Sequence, residues 1–192
     1  MKKLFLIIIS ILFSRIGYSQ IISIEEVKEI VTDNNKVLPR GTTYIKDTNN
    51  KLDKFVGTWK GEINNKKYEI RTEKATIEAA GLGYKEDVLT MRYRISNEFD
   101  TIIENTLDIP DNSPYTIEGY YLNNDNSYVL TYVGKKGKCG QGGSMFINLR
   151  SDGTMRLKLV PGHQIITPQN CPSGTAEQIF PTKDGGVILT RA

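Results

Sequence analysis

Apolar and polar residues alternate with a period of two through most of residues 55–191, and this pattern limits the fold more than any other feature. In residues 89–95, for example, Leu, Met, Tyr and Ile alternate with Thr and Arg. Successive side chains of a strand point to opposite faces of a sheet, so each such segment places one set of side chains in a core and the other in water. The same alternation occurs in residues 67–73, 128–133, 145–150, 155–160 and 187–189.

Short clusters rich in Gly, Asn, Asp and Pro separate these segments, and Asp152-Gly153 is a typical hairpin turn. We count eight to ten strands with no long helix between them, which predicts an all-β antiparallel meander, either a barrel or a sandwich. Before it, Ile24, Val27 and Ile30 recur at helical spacing, so a short helix or an irregular arm precedes the sheet.

The first residues have the features of a cleavable signal peptide. Lys2 and Lys3 precede an apolar run over residues 4–13, and Gly17 and Ser19 are spaced as the −3 and −1 positions of a cleavage site. Ten apolar residues span about 15 Å as a helix, roughly half of the hydrocarbon core of a bilayer, so this run is too short to span a membrane. The chain is therefore predicted to be exported, to the periplasm or the medium, and to start at Gln20 once processed.

These boundaries divide the chain into a signal peptide (residues 1–19), an N-terminal arm (20–50) and a barrel domain (51–192). The whole chain has 25 Lys plus Arg and 22 Asp plus Glu. Residues 1–19 contain three basic residues and no acid, which leaves 22 of each sign and a net charge of zero. Without a basic excess, nucleic-acid binding is disfavoured. We also expect the protein to be a monomer.

Cys139 and Cys171 are the only cysteines, and in an oxidising compartment such a pair predicts a disulfide. The chain has one histidine, His163, which with two isolated cysteines is too few ligands to predict a metal site. No cofactor is predicted. A hydrolase working through His163, with Ser144 or Ser173 as nucleophile, is the weakest of the functional alternatives, because neither serine lies in a Gly-x-Ser-x-Gly motif.

Residues 55–61, Phe-Val-Gly-Thr-Trp-Lys-Gly, are similar to a motif of a known protein group. A short helical turn leading into Gly-Thr-Trp resembles the signature of the lipocalins and the wider calycin group. The resemblance implies a barrel in which Trp59 closes one end and Arg191, after the last strand, packs across its ring. Residues 44–47 and 52–59 also resemble uncharacterised exported bacterial proteins that form a domain-of-unknown-function family, which implies a fold and a compartment but no activity.

Five tyrosines fall on faces that we expect to point inward, and buried tyrosines usually bring their hydroxyl to a partner or to water. An eight-stranded barrel is wide enough to hold one small ligand or to be filled by its own side chains. We therefore expect non-catalytic binding of a small apolar or amphipathic molecule; tyrosines that simply fill the core, and an envelope or extracellular protein-interaction module, are the alternatives. The candidate ligand-binding residues are Tyr68, Tyr93, Tyr121, Tyr128 and Tyr132.

Overall fold

The computed structural model describes residues 20–33, 35–79, 81–110, 112–123, 125–183 and 185–192. The predicted signal peptide lies outside them. The described part of the chain is mostly β, and eight of its strands close into an antiparallel barrel, which confirms the predicted fold class.

The helical elements are α1 (Ile24–Thr32) and two 3-10 turns, Asp53–Phe55 and Gly137–Cys139. The strands are β1 (Gln20–Ser23), β2 (Thr42–Lys46), β3 (Gly57–Ile63), β4 (Lys66–Glu78), β5 (Lys85–Asn97), β6 (Ile102–Asn105), β7 (Ile117–Leu122), β8 (Tyr128–Val133), β9 (Gly142–Leu149), β10 (Met155–Pro161) and β11 (Val187–Arg191).

The barrel follows the order β3-β4-β5-β7-β8-β9-β10-β11, and β11 returns to pair with β3. Each neighbour pair is antiparallel. The 13-residue strand β5 pairs along one edge with β4 and along the other with three strands: β2 at its start, β7 in its middle and β6 at its end. Because β5 pairs both with β2 of the N-terminal arm and with the barrel strands β4 and β7, it joins the arm to the barrel.

The arm forms a β-α-β unit that extends the same sheet. Strand β1 pairs in parallel with β2, and β2 pairs in parallel with β5. Helix α1 begins with a capping box, in which Ser23 Oγ accepts a hydrogen bond from the Glu26 N–H at 3.2 Å and the Glu26 carboxylate accepts one from the Ser23 N–H at 2.6 Å. Ile22, Ile24 and Ile45 are buried and join the core of the barrel, so the arm packs as part of it.

One end of the barrel, the Trp59 end, is closed by the first 3-10 turn. The Trp59 side chain is fully buried and its Nε1–H donates to the carbonyl of Phe55 at 2.9 Å. Arg191 lies over the indole with its Cζ 4.5 Å from the ring centroid, a cation–π distance, and its guanidinium donates to the carbonyls of Val56 and Lys54 at 2.8 and 2.9 Å. Several contacts therefore join the first and last strands of the barrel at this end.

Candidate functional site

The opposite end of the barrel, the Phe180 end, is closed by an aromatic cluster. The Phe180 ring lies between Tyr68, Tyr93 and Tyr132, with ring centroids 6.2, 4.8 and 4.9 Å away. Tyr93 and Tyr132 meet it edge to face, which is a favourable arrangement for aromatic rings. All four side chains are buried, so Phe180 fills the space that the three tyrosines enclose.

Phe180 comes from residues 162–183, the closing segment, all of which the structure describes and none of which lies in a helix or strand. The Cys139–Cys171 disulfide ties this segment to the 3-10 turn before β9 and confirms the predicted bridge. Side-chain amides add further ties: Gln141 Nε2 donates to the carbonyl of Glu177 at 3.1 Å, and Gln178 Nε2 donates to the carbonyl of Gly140. The closing segment is thus held by point contacts and not by a strand ladder.

The three tyrosine hydroxyls of the cluster differ in their partners. Tyr68 Oη donates to the carbonyl of Ile179, the residue before Phe180, at 3.1 Å. Tyr93 Oη donates to the Glu104 carboxylate of β6. Tyr132 Oη is buried, and no hydrogen bond of normal geometry reaches it from the described residues, although it lies close enough to Tyr93 for the two hydroxyls to influence each other.

All three hydroxyls are protonated near neutral pH. Burial, with a smaller contribution from the Glu177 carboxylate, raises the pKa of Tyr68 to about 12. Burial also raises the pKa of Tyr93 and of Tyr132, and the hydrogen bond to Glu104 raises that of Tyr93 further. The cluster therefore presents hydrogen-bond donors to its interior and no tyrosinate.

The remaining two tyrosines of the sequence prediction lie elsewhere. Tyr128 is buried at the Trp59 end, where its ring is 6.2 Å from that of Phe55 and its hydroxyl accepts from the Leu89 N–H at 3.4 Å. The prediction that Tyr121 faces inward is wrong: a bulge at Tyr120 shifts the register of β7 and places Tyr121 beside Val129, on the face opposite Tyr128. Three of the five predicted residues thus share one site.

Sequence reasoning missed Phe180 and Glu104, the other two members of this site. The closing segment has no periodicity, and β6 has only four residues. The available signal is weak: Ile179-Phe180 before Pro181 is a pair of adjacent apolar residues, but Ile165-Ile166 in the same segment is another.

A second cluster, which is polar, lies where the inner faces of β4 and β5 extend past the barrel at the Trp59 end. The Asp87 carboxylate accepts from Tyr44 Oη at 2.7 Å, from the Asp47 N–H at 3.0 Å and from Thr76 Oγ1 at 2.8 Å. Lys74 Nζ lies 3.4 Å from the Asp47 carboxylate, which is completely buried. Because these bonds connect the arm to the β4–β5 hairpin, the cluster has a structural explanation.

Burial acts to raise the pKa of Asp87, but the hydrogen bonds from Tyr44, Thr76 and the Asp47 N–H, together with the charge of Lys74, outweigh it and lower that pKa below its ordinary value. Asp87 is consequently ionised at neutral pH and holds the arm as a carboxylate.

The candidate residues for hydrolysis lie on the surface. Ser144 and His163 both line a shallow open groove beside the closing segment, and Ser173 is exposed in that segment. The residues that line the groove include no Asp or Glu that could orient the imidazole. Among the described residues no three His, Cys, Asp or Glu side chains come together as metal ligands, and no helix there is long and apolar enough to cross a membrane.

Comparison with known proteins gives a family and no activity. Neither the curated proteins nor the solved structures contain a match to this chain. The sequence profile of a family of unknown function, DUF6705, matches residues 1–145, a range that ends within β9 and precedes the closing segment. Since the match covers 145 of 192 residues, the chain belongs to that family of unknown function.

Proposed function

We propose that the protein is a non-catalytic binding protein that takes one small apolar or amphipathic molecule into the Phe180 end of its barrel. The observation that carries the proposal is the Phe180 ring itself, which an irregular segment inserts between three inward tyrosines. A ring of this size and position occupies the barrel as a small ligand would.

The two ends of the barrel differ in how readily they could open. At the Trp59 end, opening would break the contacts of Arg191 with the Trp59 ring and with two backbone carbonyls, and these contacts join β3 to β11. At the Phe180 end, residues 162–183 could lift while every strand pairing of the barrel stays intact. Entry therefore belongs at the Phe180 end.

Competition between Phe180 and the ligand gives the proposal a quantitative consequence. If the site binds only when Phe180 has left it, the apparent dissociation constant equals the intrinsic one divided by the open fraction. Truncation of Phe180 removes the competitor, so it should tighten binding of a probe while it lowers stability through the lost ring.

The test is a titration of the purified protein with N-phenyl-1-naphthylamine, an apolar fluorescent probe. We expect saturable binding to the wild type and binding at least tenfold tighter to Phe180→Ala, with Phe180→Leu as a milder variant. Ile165→Ala is the matched control, because Ile165 lies in the same segment and is 86% exposed; it should bind as the wild type does. Absence of probe binding to a folded wild type, or equal affinity for wild type and both Phe180 variants, would refute the proposal.

A role as a protein-interaction module is the second candidate function, and the β5–β6 hairpin favours it. Phe99 is 80% exposed and Ile102 57% exposed, and in the described part of the sheet β6 pairs with β5 alone. An open edge with apolar side chains suits the addition of an extended apolar peptide as a further strand.

Peptides selected from a displayed random library on the wild type would test this candidate. They should lose binding to the Phe99→Ser/Ile102→Ser variant and keep it with Leu82→Ser, a control in the β4–β5 turn where Leu82 is 66% exposed. Equal binding to all three proteins would rule the hairpin out.

We also propose that the chain is exported and processed after Ser19. The Cys139–Cys171 disulfide supports this, because such bonds persist in oxidising compartments. Mass spectrometry of the protein from periplasm or medium should find Gln20 as the first residue, and an intact Met1 in a cytoplasmic pool would contradict export.

A further inference from the structure

The geometry points to a ligand class for the Phe180 end: a neutral aromatic ring that carries a hydrogen-bond acceptor beside it, such as an aryl ketone or an aromatic amide. This inference rests on the proposed function and names the chemistry that the same site would select. It assigns Tyr68 and Tyr132 as the residues that recognise the acceptor.

The closing segment occupies the site with this combination of groups. The Phe180 ring fills the aromatic space, and the carbonyl of Ile179, one residue earlier, accepts the hydrogen bond of Tyr68 Oη. When the segment leaves, Tyr68 loses both contacts at once. A buried donor without an acceptor is unfavourable, so a ligand that restores only the ring is a poorer replacement than one that restores the ring and the acceptor.

Tyr132 gives a second, independent reason. Its side chain is buried and its hydroxyl makes no hydrogen bond of normal geometry with the described residues, only a weaker contact with Tyr93, while its ring packs on Phe180 at 4.9 Å. Buried polar groups without partners are rare, and one at a candidate site is explained if a bound molecule supplies the partner. An acceptor on the ligand would satisfy it.

A carboxylate beside the cluster restricts the charge of the ligand. Glu104 of β6 accepts the hydrogen bond of Tyr93 and stays in place when the closing segment leaves. An anionic ligand in the space of Phe180 would lie near this partly buried carboxylate, and like charges repel there. A neutral carbonyl avoids this repulsion, whereas an aromatic carboxylate does not.

Displacement of N-phenyl-1-naphthylamine by three matched competitors tests the inference. Acetophenone has the ring and the carbonyl, ethylbenzene has the ring alone, and benzoate has a ring with a charged group. For the wild type we expect acetophenone to displace the probe at a concentration at least tenfold lower than either of the other two.

Tyrosine-to-phenylalanine variants assign the preference to residues. Tyr68→Phe and Tyr132→Phe should each reduce the preference for acetophenone over ethylbenzene by at least threefold without weakening ethylbenzene. Tyr128→Phe is the matched control, because that tyrosine is buried at the Trp59 end; it should keep the full preference.

The outcomes separate this inference from the proposal beneath it. A wild type that binds the probe but shows no preference for acetophenone overturns the ligand class and leaves barrel binding in place. A preference that survives both Tyr68→Phe and Tyr132→Phe overturns the assignment of residues. A wild type that binds no probe overturns the ligand class together with the proposed function.

Discussion

Gly119 of β7 faces into the barrel and leaves room for the side chain of Tyr128 on β8. A Cβ at this position would lie 2.3 Å from Tyr128 Oη and 2.6 Å from its ring, closer than atoms in contact can approach. We therefore expect Gly119→Ala to lower the free energy of unfolding by about 1–3 kcal/mol, as overpacking of a core does. Urea denaturation measures this change.

Gly162 provides the control for that substitution. An added Cβ there would meet its nearest neighbour at 3.7 Å, an ordinary contact, so Gly162→Ala should stay within about 0.5 kcal/mol of the wild type. Equal stability of the two variants would show that the Tyr128 side chain can move aside.

Glu86 of β5 is a partly buried carboxyl, set beside Ile45 of β2 and Ile77 of β4, and burial raises its pKa to about 7. Because this value exceeds the ordinary 4.5, ionisation of Glu86 opposes folding: its contribution falls as the pH rises from about 4.5 to about 7 and is constant above. Glu86→Gln should therefore gain stability relative to the wild type across that pH range. Thermal unfolding from pH 4 to 8 checks it, with Glu62→Gln, at an exposed position, as the control variant.

At the scale of elements, the attachment of the arm depends on Asp87. Its carboxylate accepts hydrogen bonds from both β2 and β4 and from the backbone of Asp47, and hydrogen bonds to charged groups contribute about 1.5–3 kcal/mol each. We expect Asp87→Asn to lower the free energy of unfolding by about 1–3 kcal/mol at neutral pH and to increase hydrogen exchange in β2. Asp100→Asn, in an exposed pair with Lys67, should change it by less than about 0.5 kcal/mol.

The pH dependence gives this prediction its sign. The folded pKa of Asp87 lies below the ordinary 3.8, so its contribution is complete above that value and is lost as the pH falls through the lower, folded pKa. The stabilities of wild type and Asp87→Asn should therefore converge in acid. A difference that stays constant down to pH 2 would mean that the charge of Asp87 does not hold the arm.

Sequence pattern predicts the elements of the barrel well, because strands with one buried face must alternate. The run over residues 89–95 lies within β5, and Leu89, Met91, Tyr93 and Ile95 are all buried there. The elements it misses are those whose structure depends on distant partners. Strands β1 and β6 have four residues each, too few to show a period, and the bulge at Tyr120 reverses the face of Tyr121 with no signal that we could read in the sequence.

For the whole molecule, the disulfide is the main covalent constraint. It links residues separated by 32 positions, and closing a loop of that length stabilises a fold by about 3–4 kcal/mol in the chain-entropy model. A Cys139→Ala/Cys171→Ala variant should therefore have a free energy of unfolding, measured by guanidinium denaturation, that is lower by this amount. It should keep the far-ultraviolet circular dichroism of the barrel, because neither cysteine lies in a strand. Labelling of the native wild type by a thiol reagent should find no free thiol.

Only part of the candidate site, its tyrosines, could be predicted from the sequence. The inward tyrosines of the long strands follow from alternation, and Tyr68, Tyr93 and Tyr132 do lie together. That they meet Phe180 depends on the path of the closing segment, which the disulfide and backbone contacts such as Leu159 N–H to the Pro181 carbonyl determine and which no local pattern encodes.

The placement of Trp59 allows its fluorescence to report on one end of the barrel. The chain has one tryptophan and ten tyrosines, and the indole lies under Arg191 at the Trp59 end of the barrel. Indole emission should therefore report on the integrity of the β3–β11 seam, whereas a change in near-ultraviolet dichroism at unchanged indole emission is expected when the closing segment moves. A single sample can in this way separate unfolding from opening.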